Sequence, residues 1–297
     1  MTDRGRKRVL ALSGLGLIAG ALFFTPALSR AEDAPPARVM SLNVCTDQLA
    51  MMLAAPGQLV SVSFLAREPS LSPLHAAAQR FPVNRGRAEE VFLARPDLIV
   101  TGTYSLHNTT ELLKKLGFRV EEFSFAQTLD TIPGEIRRMG ALLGQRDEAK
   151  EVAARFEAEL ADIRSRQCAA KPSALAYDQN GVALGAGTLA DSVVAAAGFR
   201  NLAAEKGVTG MAPFPIEEIV ADPPDIIITS AGGDDAPSLG ERVPRHPALQ
   251  SLPGTRIGAF VPQGAWSCGS LATLDAVKAL FALRREIAPC SETESDS

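Results

Sequence analysis

Few residues in this sequence could perform chemistry, and their spacing matches no common catalytic or metal site. His75, His107 and His246 are the only histidines, and no two of them stand at a metal-ligand spacing. The chain has no G-x-S-x-G motif, no C-x-x-C motif and no base at a defined spacing from Ser267 or Cys268. The sequence therefore predicts neither a carrier of bare metal ions, nor a nucleophilic hydrolase, nor a thiol oxidoreductase.

One glycine motif has the form of a dinucleotide-binding turn. Residues 185–190 read GAGTLA, which fits G-x-G-x-x-A and opens a predicted helix, and Glu205 follows the first glycine by about 20 residues. The preceding stretch YDQNGVALG is not a clean strand, and no predicted strand would hold Glu205. We interpret the motif as a glycine-rich turn that lines a cleft, so the sequence does not predict an enzyme.

Aromatic residues are scarce but stand at informative positions. The chain has one Trp, two Tyr and 13 Phe, and four of these residues lie in stretches at the carboxyl ends of predicted strands: Phe64, Tyr104, Tyr177 and Trp266. Open α/β sheets bind ligands at those ends, and aromatic walls suit a bulky, ring-like ligand. The alternative is that each is an ordinary core or rim residue.

Charged and iron-ligating side chains lie in the same stretches. Arg67, Arg85 and Arg87 could pair with an anionic metal chelate, although exposed arginines are often only solvated surface. Tyr104, Tyr177, His107 or a thiol in the cleft could ligate haem iron. None of these stands out as a necessary axial ligand, so the sequence predicts no metal site.

The elements that must position these residues alternate between strand and helix, which predicts mostly parallel sheets covered by helices. The predicted strands are 38–44, 59–64, 97–101, 118–123, 174–178, 225–229 and 256–261. The predicted helices are 46–55, 89–94, 108–116, 129–143, 146–167, 188–197, 216–221 and 271–287. The helix over 146–167 is amphipathic, and at 1.5 Å per residue it would span about 33 Å.

An internal repeat indicates two similar halves. Residues 89–102 (EEVFLARPDLIVTG) and 217–230 (EEIVADPPDIIITS) are identical at six of fourteen positions. Each predicts a helix that starts with acids, a Pro that ends it, an Asp turn and an apolar strand. The predicted fold class is therefore α/β, with two Rossmann-like lobes of mostly parallel sheet bridged by one long helix. Chance similarity of a common helix-strand unit is the alternative.

The N-terminal residues predict export. Basic residues at 4–8 (RGRKR) precede an apolar run over 9–24 and small residues at 29 and 31, the pattern of a secretory signal peptide. A membrane anchor, the alternative, needs about 20 apolar residues, whereas this run is shorter and contains glycines. Outside residues 1–31 the chain has 25 basic and 33 acidic residues, which disfavours nucleic acid as a partner.

Export permits disulfides, and four cysteines allow three pairings. Cys168 stands at the end of the long predicted helix, and Cys290 follows the last predicted helix. Cys45 and Cys268 each follow a predicted strand. These positions favour pairing Cys168 with Cys290 and Cys45 with Cys268. Free buried thiols are the alternative.

Several segments in order resemble the periplasmic substrate-binding proteins that serve ABC importers of iron-siderophores, haem and cobalamin. They are RVMSLNVCTDQLA, ARPDLIVTG, the long helix, GAGTLADSVVAAAGFRNLA and PPDIIITS, and the resemblance covers residues 38–290. It implies two lobes, a ligand cleft between them, modest closure on binding and no intrinsic cofactor. It also implies an inner-membrane ABC permease as partner.

In that family an acidic residue on each lobe docks against arginines of the permease. The matching positions are Glu89 and Glu217, each seven residues before the Pro of its Pro-Asp pair. Separated charges of this kind orient a partner. Glu90 and Glu218 are adjacent and could be confused with them, and acids near a helix start also simply favour the helix dipole.

Together these features predict a monomeric periplasmic binding protein that captures a bulky metal chelate, a ferric siderophore or cobalamin rather than haem. The expected ligand-binding residues are Phe64, Arg67, Arg85, Tyr104, Tyr177 and Trp266. The expected parts are a signal peptide (1–31), an N-terminal lobe (38–145), a connecting helix (146–167), a C-terminal lobe (172–290) and a disordered tail (291–297). A haem-binding protein of the same fold and a ligand sensor without an importer are the alternatives.

Overall fold

A computed structural model describes residues 34–104, 106–124, 127–229 and 240–290. The predicted signal peptide and the predicted polar tail lie outside these residues. The described residues form eleven strands: β1 Val39–Ser41, β2 Leu59–Ser63, β3 Val83–Asn84, β4 Leu98–Gly102, β5 Val120–Phe123, β6 Ser173–Asp178, β7 Val182–Leu184, β8 Arg200–Asn201, β9 Met211–Pro213, β10 Ile226–Ile228 and β11 Arg256–Gly258.

The same residues form eleven α-helices. They are α1 Val44–Leu53, α2 His75–Ala78, α3 Ala88–Ala94, α4 His107–Lys115, α5 Ile132–Leu143, α6 Arg146–Ser165, α7 Leu189–Ala196, α8 Leu202–Glu205, α9 Ile216–Ala221, α10 Pro247–Gln250 and α11 Thr273–Ile287. Strands and helices alternate, and the chain forms the two-lobed α/β architecture that the sequence predicts.

The N-terminal lobe contains a five-stranded sheet in the order β3-β2-β1-β4-β5, and every neighbouring pair is parallel. Leu98, Ile99 and Val100 of β4 are fully buried, as expected where helices cover both faces of a sheet. From β1 the chain continues to β2 and β3 on one side, and it later forms β4 and β5 on the other side of β1. The strand order therefore reverses at β1. In open α/β sheets, ligands bind outside the carboxyl ends of the strands at such a point.

The C-terminal lobe repeats this arrangement. Its parallel strands run β8, β6, β10 and β11, which correspond to β2, β1, β4 and β5. The strand order therefore reverses at β6 as it does at β1. Two antiparallel strands, β7 and β9, extend the sheet beside the end of β6.

The repeated Pro-Asp turn has the same structure in both lobes. The Asp97 carboxylate accepts hydrogen bonds of 2.9 Å from the backbone N–H groups of Ala37 and Arg38, immediately before β1. The Asp225 carboxylate accepts hydrogen bonds from the backbone N–H and the hydroxyl of Ser173, at the start of β6. Each aspartate thus ties the strand after it to the central strand of its lobe, which supports duplication over chance similarity.

The long helix α6 joins the two lobes along a shared core. Its buried residues recur at three- and four-residue steps and are Ala149, Val152, Ala153, Phe156, Leu160 and Ile163. They belong to one hydrophobic cluster with Val39 of β1 and Ile226 of β10. Gly140 of α5 permits close packing on α6, because a Cβ at that position would overlap the Ala149 side chain.

Some short elements differ from the sequence prediction. The stretch YDQNGVALG contains β7, although the sequence shows no clean strand there, because its antiparallel partners β6 and β9 supply the hydrogen bonds. The N-cap of α1 is Asn43, which accepts a hydrogen bond from the Cys45 N–H at 2.9 Å, rather than Thr46 or Asp47. Thr46 and Asp47 are instead buried inside the lobe.

Candidate functional site

Segments that follow the strand ends of one lobe meet those of the other. Cys45, in the first turn after β1, forms a disulfide with Cys268, which lies beyond β11, and their Cα atoms are 5.1 Å apart. The Gly269 N–H donates a 2.7 Å hydrogen bond to Oε1 of Gln127, which follows β5. These contacts bring together segments that follow the carboxyl ends of the two sheets. Because open α/β sheets bind ligands outside those ends, the topology predicts a ligand crevice there, which we call the interlobe crevice.

Residues 262–270 form a strap that leaves the C-terminal lobe and packs on the N-terminal lobe. Gly264 has a φ of +70°, and a Cβ there would lie 2.8 Å from the Ser72 backbone nitrogen, so only glycine fits this contact. The Ser267 hydroxyl donates a 3.4 Å hydrogen bond to the Ser70 carbonyl, and Cys268 carries the disulfide to Cys45. The strap therefore restricts the relative movement of the lobes.

Trp266 is held by this strap, two residues before Cys268. Its ring is half-buried and packs against the core that the two lobes share. Part of the ring remains accessible to solvent. The disulfide and Gly264 thus fix the backbone on both sides of the only Trp in the chain.

Phe64 and Arg85 are brought together by neighbouring strands. Phe64 immediately follows β2 and Arg85 immediately follows β3, and these strands pair in parallel. The guanidinium carbon of Arg85 lies 5.2 Å from the centroid of the Phe64 ring, a cation-π distance. Both side chains are exposed, so a ligand at the strand ends could contact the ring and the charge together.

Tyr104 and His107 follow the end of β4. Tyr104 is 79% exposed, and His107 is the exposed first residue of α4. Because β4 borders the central strand β1, this pair lies near the point where the strand order reverses. Tyr104 is the only one of the two tyrosines that an external ligand can reach.

The structure buries one predicted ligand contact and holds another in a turn. Tyr177 is only 1% exposed, because it lies in β6 and points into the core, where its hydroxyl donates a 3.0 Å hydrogen bond to the Phe214 carbonyl. Burial, and then the nearby Glu217 carboxylate, raise the pKa of Tyr177. The Arg67 guanidinium donates to the carbonyls of Gln79 and Phe81, so its charge secures a turn.

A buried acid near the crevice was missed by sequence reasoning. Asp47, in the first turn of α1, is fully buried and accepts hydrogen bonds from the Ser63 N–H, at 3.0 Å, and from the Ser63 hydroxyl. Burial raises its pKa to about 7, although hydrogen bonds from Ser41 and Ser63 oppose the shift. Acids in a first helical turn are common on surfaces, and only the packing against β2 distinguishes this one.

Glu89 and Glu217 occupy equivalent positions. Glu89 is the second residue of α3 and Glu217 the second residue of α9, and both are exposed. Among the described residues neither carboxylate forms an ion pair or a hydrogen bond. Glu90, by contrast, accepts hydrogen bonds of 2.9 and 3.0 Å from the N–H groups of Arg85 and Arg87, so it serves to cap α3.

The edge on which these two acids lie follows from the topology. In each lobe the helix starts at the carboxyl edge of the sheet and runs back toward the amino edge, because it connects to the start of a parallel strand. The first turns of α3 and α9 are therefore on the crevice side of their lobes. Glu218 is also exposed, so burial does not separate it from Glu217.

The glycine motif at 185–190 is structural. The Gly185 N–H donates a 2.8 Å hydrogen bond to the Gly210 carbonyl, and a Cβ at 185 would overlap the Val208 carbonyl oxygen. Thr188 caps α7 by accepting a hydrogen bond of 3.1 Å from the Asp191 N–H. The glycine permits close packing of the chain after an antiparallel strand, which is not the context of a dinucleotide-binding turn.

A separate cavity of about 420 Å³ lies between α1, α6 and the start of α11. Met51, Met52 and Leu271 line it, and Lys278 and Glu159 form an ion pair of 2.5 Å at its side. It does not include the strand-end residues Phe64, Tyr104 or Trp266. The cavity is therefore separate from these three aromatic side chains.

The second disulfide joins Cys168 to Cys290, which gives both pairs that the sequence favours. It ties the end of α6 to the segment after α11, away from the strap.

In the described ranges no cluster of three or more His, Cys, Asp or Glu side chains could hold a metal ion. None of the helices in those ranges is long and apolar enough to cross a membrane.

Comparison with known protein families and curated proteins identifies the family of this chain. A family model described as periplasmic binding protein matches residues 39–261. The chain belongs to the periplasmic binding protein family. Two "Cobalamin-binding protein" relatives, from two strains of Halobacterium salinarum, are each 28% identical over 211 residues, covering 68% of this chain and 56% of theirs. This binding protein thus spans a little over half the length of the curated relatives that it matches.

Solved periplasmic binding proteins share the same architecture. A haem-binding protein from Roseiflexus sp. RS-1, in its apo form, is 23% identical with a TM-score of 0.65, covering 84% of this chain and 97% of that one. A vitamin B12-binding protein from Vibrio cholerae is 20% identical with a TM-score of 0.63, covering 85% of this chain and 98% of that one. These likenesses confirm the predicted two-lobed α/β fold.

Proposed function

We propose that this periplasmic binding protein captures cobalamin in the interlobe crevice and delivers it to an ABC permease. The observation that supports the proposal is that exposed or half-buried aromatic side chains follow strand ends of the N-terminal lobe and lie in the strap that connects the lobes. Phe64 and Tyr104 follow strands of the N-terminal lobe, and Trp266 is held by the strap from the C-terminal lobe. The names of the curated relatives favour cobalamin among the metal chelates.

The chemistry of these residues suits a corrin ring. Burying about 300 Å² of apolar ligand surface would contribute on the order of 7 kcal/mol, and the aromatic rings supply such a surface. Arg85, held over Phe64, offers a cation for the phosphodiester of cobalamin. No bond is made or broken in this capture and delivery.

Haem is the second candidate, and a specific pair of residues favours it. Tyr104 and His107 are exposed after β4, and either side chain could ligate haem iron. Tyr177 and the cysteines cannot, because the tyrosine is buried and all four thiols are in disulfides. A ferric siderophore is the third candidate ligand. Arg85 would then pair with a negatively charged group of the siderophore.

The partner and the compartment follow from the same proposal. The N-terminal pattern would export the chain to the periplasm, where the protein would act as a monomer. Glu89 and Glu217 would then meet cationic side chains of an inner-membrane permease. Their equivalent exposed positions, on the crevice side of each lobe, support this role.

A titration of the exported protein with cyanocobalamin, hemin and a ferric siderophore tests the proposal. We expect cyanocobalamin to quench Trp266 fluorescence with a stoichiometry of one, after correction for ligand absorption, and calorimetry to give the same affinity. The Trp266→Phe variant should lose the optical signal but still release heat on binding. Binding of none of the three chelates would overturn the proposed function, and binding of hemin alone would favour the haem alternative.

A further inference from the structure

The short helices that carry Glu89 and Glu217 also expose apolar side chains. In α3 only Val91 is fully buried, while Phe92 is 61% and Leu93 is 81% exposed. Leu93 follows Glu89 by one helical turn, on the face opposite Val91. Exposed large apolar residues grouped beside an unpaired charge are characteristic of a protein interface rather than of a solvated surface.

The corresponding helix of the other lobe has a smaller apolar surface. In α9 Ile219 is buried, as Val91 is in α3, and the residues that match Phe92 and Leu93 are Val220 and Ala221. Val220 is 45% exposed. The duplicated helices thus share the carboxylate and differ in the size of the apolar side chains that follow it.

We propose that the permease contact of the N-terminal lobe combines the Glu89 carboxylate with an apolar anchor made of Phe92 and Leu93, and that this anchor distinguishes the two lobes. The inference rests on the proposed function, because it takes the permease as the occupant of this surface. The fitting partner surface has a cationic side chain beside an apolar depression. The C-terminal lobe would meet a similar cation with little apolar burial.

The asymmetry has a functional consequence. Two equivalent carboxylates alone would allow the protein to dock in either of two orientations related by the pseudo-symmetry of its lobes. A large apolar contact on one lobe would favour one orientation, because desolvating Phe92 and Leu93 is favourable only where the permease offers a complementary pocket. Docking would then present the crevice to the permease in one defined orientation.

The duplication itself supplies the test variant. Phe92→Val with Leu93→Ala gives α3 the side chains of α9 and removes no buried group. The matched control is Leu112→Ala with Leu116→Ala, two other exposed leucines, in and just after the last turn of α4, at the end of that helix away from the crevice. Both variants should keep the thermal stability and the cyanocobalamin affinity of the parent protein.

Uptake of radiolabelled cyanocobalamin is measured in cells that lack the native gene and carry each variant. We expect the α3 variant to lower uptake about tenfold and the α4 control to match the parent protein. Normal uptake by the α3 variant, while Glu89→Lys with Glu217→Lys abolishes uptake, would overturn the apolar anchor and leave the proposed function standing. An equal loss in the control would also overturn the anchor. No uptake with the parent protein, despite a functional permease, would overturn the proposed function as well.

Discussion

Asp47 is a carboxylic acid that the N-terminal lobe holds in its interior. Its oxygens accept hydrogen bonds from Ser63 at the end of β2, which lies at the edge of the interlobe crevice. Burial raises the pKa of Asp47 to about 7, from an ordinary value of 3.8. Because the folded state holds this proton more tightly than the unfolded chain, the contribution of Asp47 to stability is complete below about pH 4 and is lost as the pH rises to about 7.

The Asp47→Asn variant should remove this pH dependence, because the amide keeps an acceptor for the Ser63 N–H and does not ionise. Relative to the parent protein, its free energy of unfolding should improve by up to about 1.4 kcal/mol per pH unit between pH 4 and pH 7. Urea unfolding across that range measures the difference. If the free energies of unfolding of the two proteins instead changed with pH in parallel, the pKa of Asp47 would not be raised in the folded state.

At the residue scale, the sequence could predict types and positions but not the direction of side chains. It predicts that Glu89 and Glu90 lie at a helix start, yet only the hydrogen bonds to Arg85 and Arg87 show that Glu90 serves as the cap. It places Tyr177 near a strand end, yet that ring packs into a buried hydrophobic cluster of the C-terminal lobe. Long-range packing decides both outcomes.

At the element scale, the strap over residues 262–270 and its disulfide connect the lobes beside the crevice. The Cys45–Cys268 bond pins the strap, whereas the Cys168–Cys290 bond joins two helix ends away from it. The two bonds should therefore have different effects on ligand binding, although each closes a long loop of chain and should stabilise the fold.

Replacing Cys45 and Cys268 by Ala should lower the affinity for cyanocobalamin about tenfold, because the strap and Trp266 lose their fixed position. Replacing Cys168 and Cys290 by Ala should leave the affinity within about twofold. Both double variants should lose about 2 to 5 kcal/mol of stability. Calorimetric titration and urea unfolding of the pair provide the comparison, and an equal affinity loss in both would indicate that the strap has no special role.

The elements that the sequence could predict are those with strong local signals. The repeated helix-Pro-Asp-strand units have apolar runs, acids at the helix start and helix-ending prolines, and they form α3–β4 and α9–β10. The strands β7 and β9 are three residues long and depend on antiparallel neighbours for their hydrogen bonds. The strap has no periodic pattern at all, because its position depends on the contact of Gly264 with a distant turn.

At the scale of the whole molecule, two lobes on a shared core carry two equivalent acids, each at the carboxyl edge of its sheet. Reversing both charges, with Glu89→Lys and Glu217→Lys, should abolish uptake while leaving the ligand affinity unchanged. The matched control replaces Glu148 and Glu151, on an exposed face of α6, by Lys, and it should leave uptake unchanged. Normal uptake by the first variant would exclude these acids from permease docking.

The central claim is that the ligand occupies the interlobe crevice, and calorimetric titration of crevice and cavity variants with cyanocobalamin tests it most directly. The Phe64→Ala, Trp266→Ala double variant should weaken binding by at least about tenfold. The Ala77→Phe variant, which narrows the separate cavity beside α1 and α11, should bind like the parent protein. Unchanged affinity in the double variant together with lost binding in Ala77→Phe would place the ligand in that cavity and contradict the account.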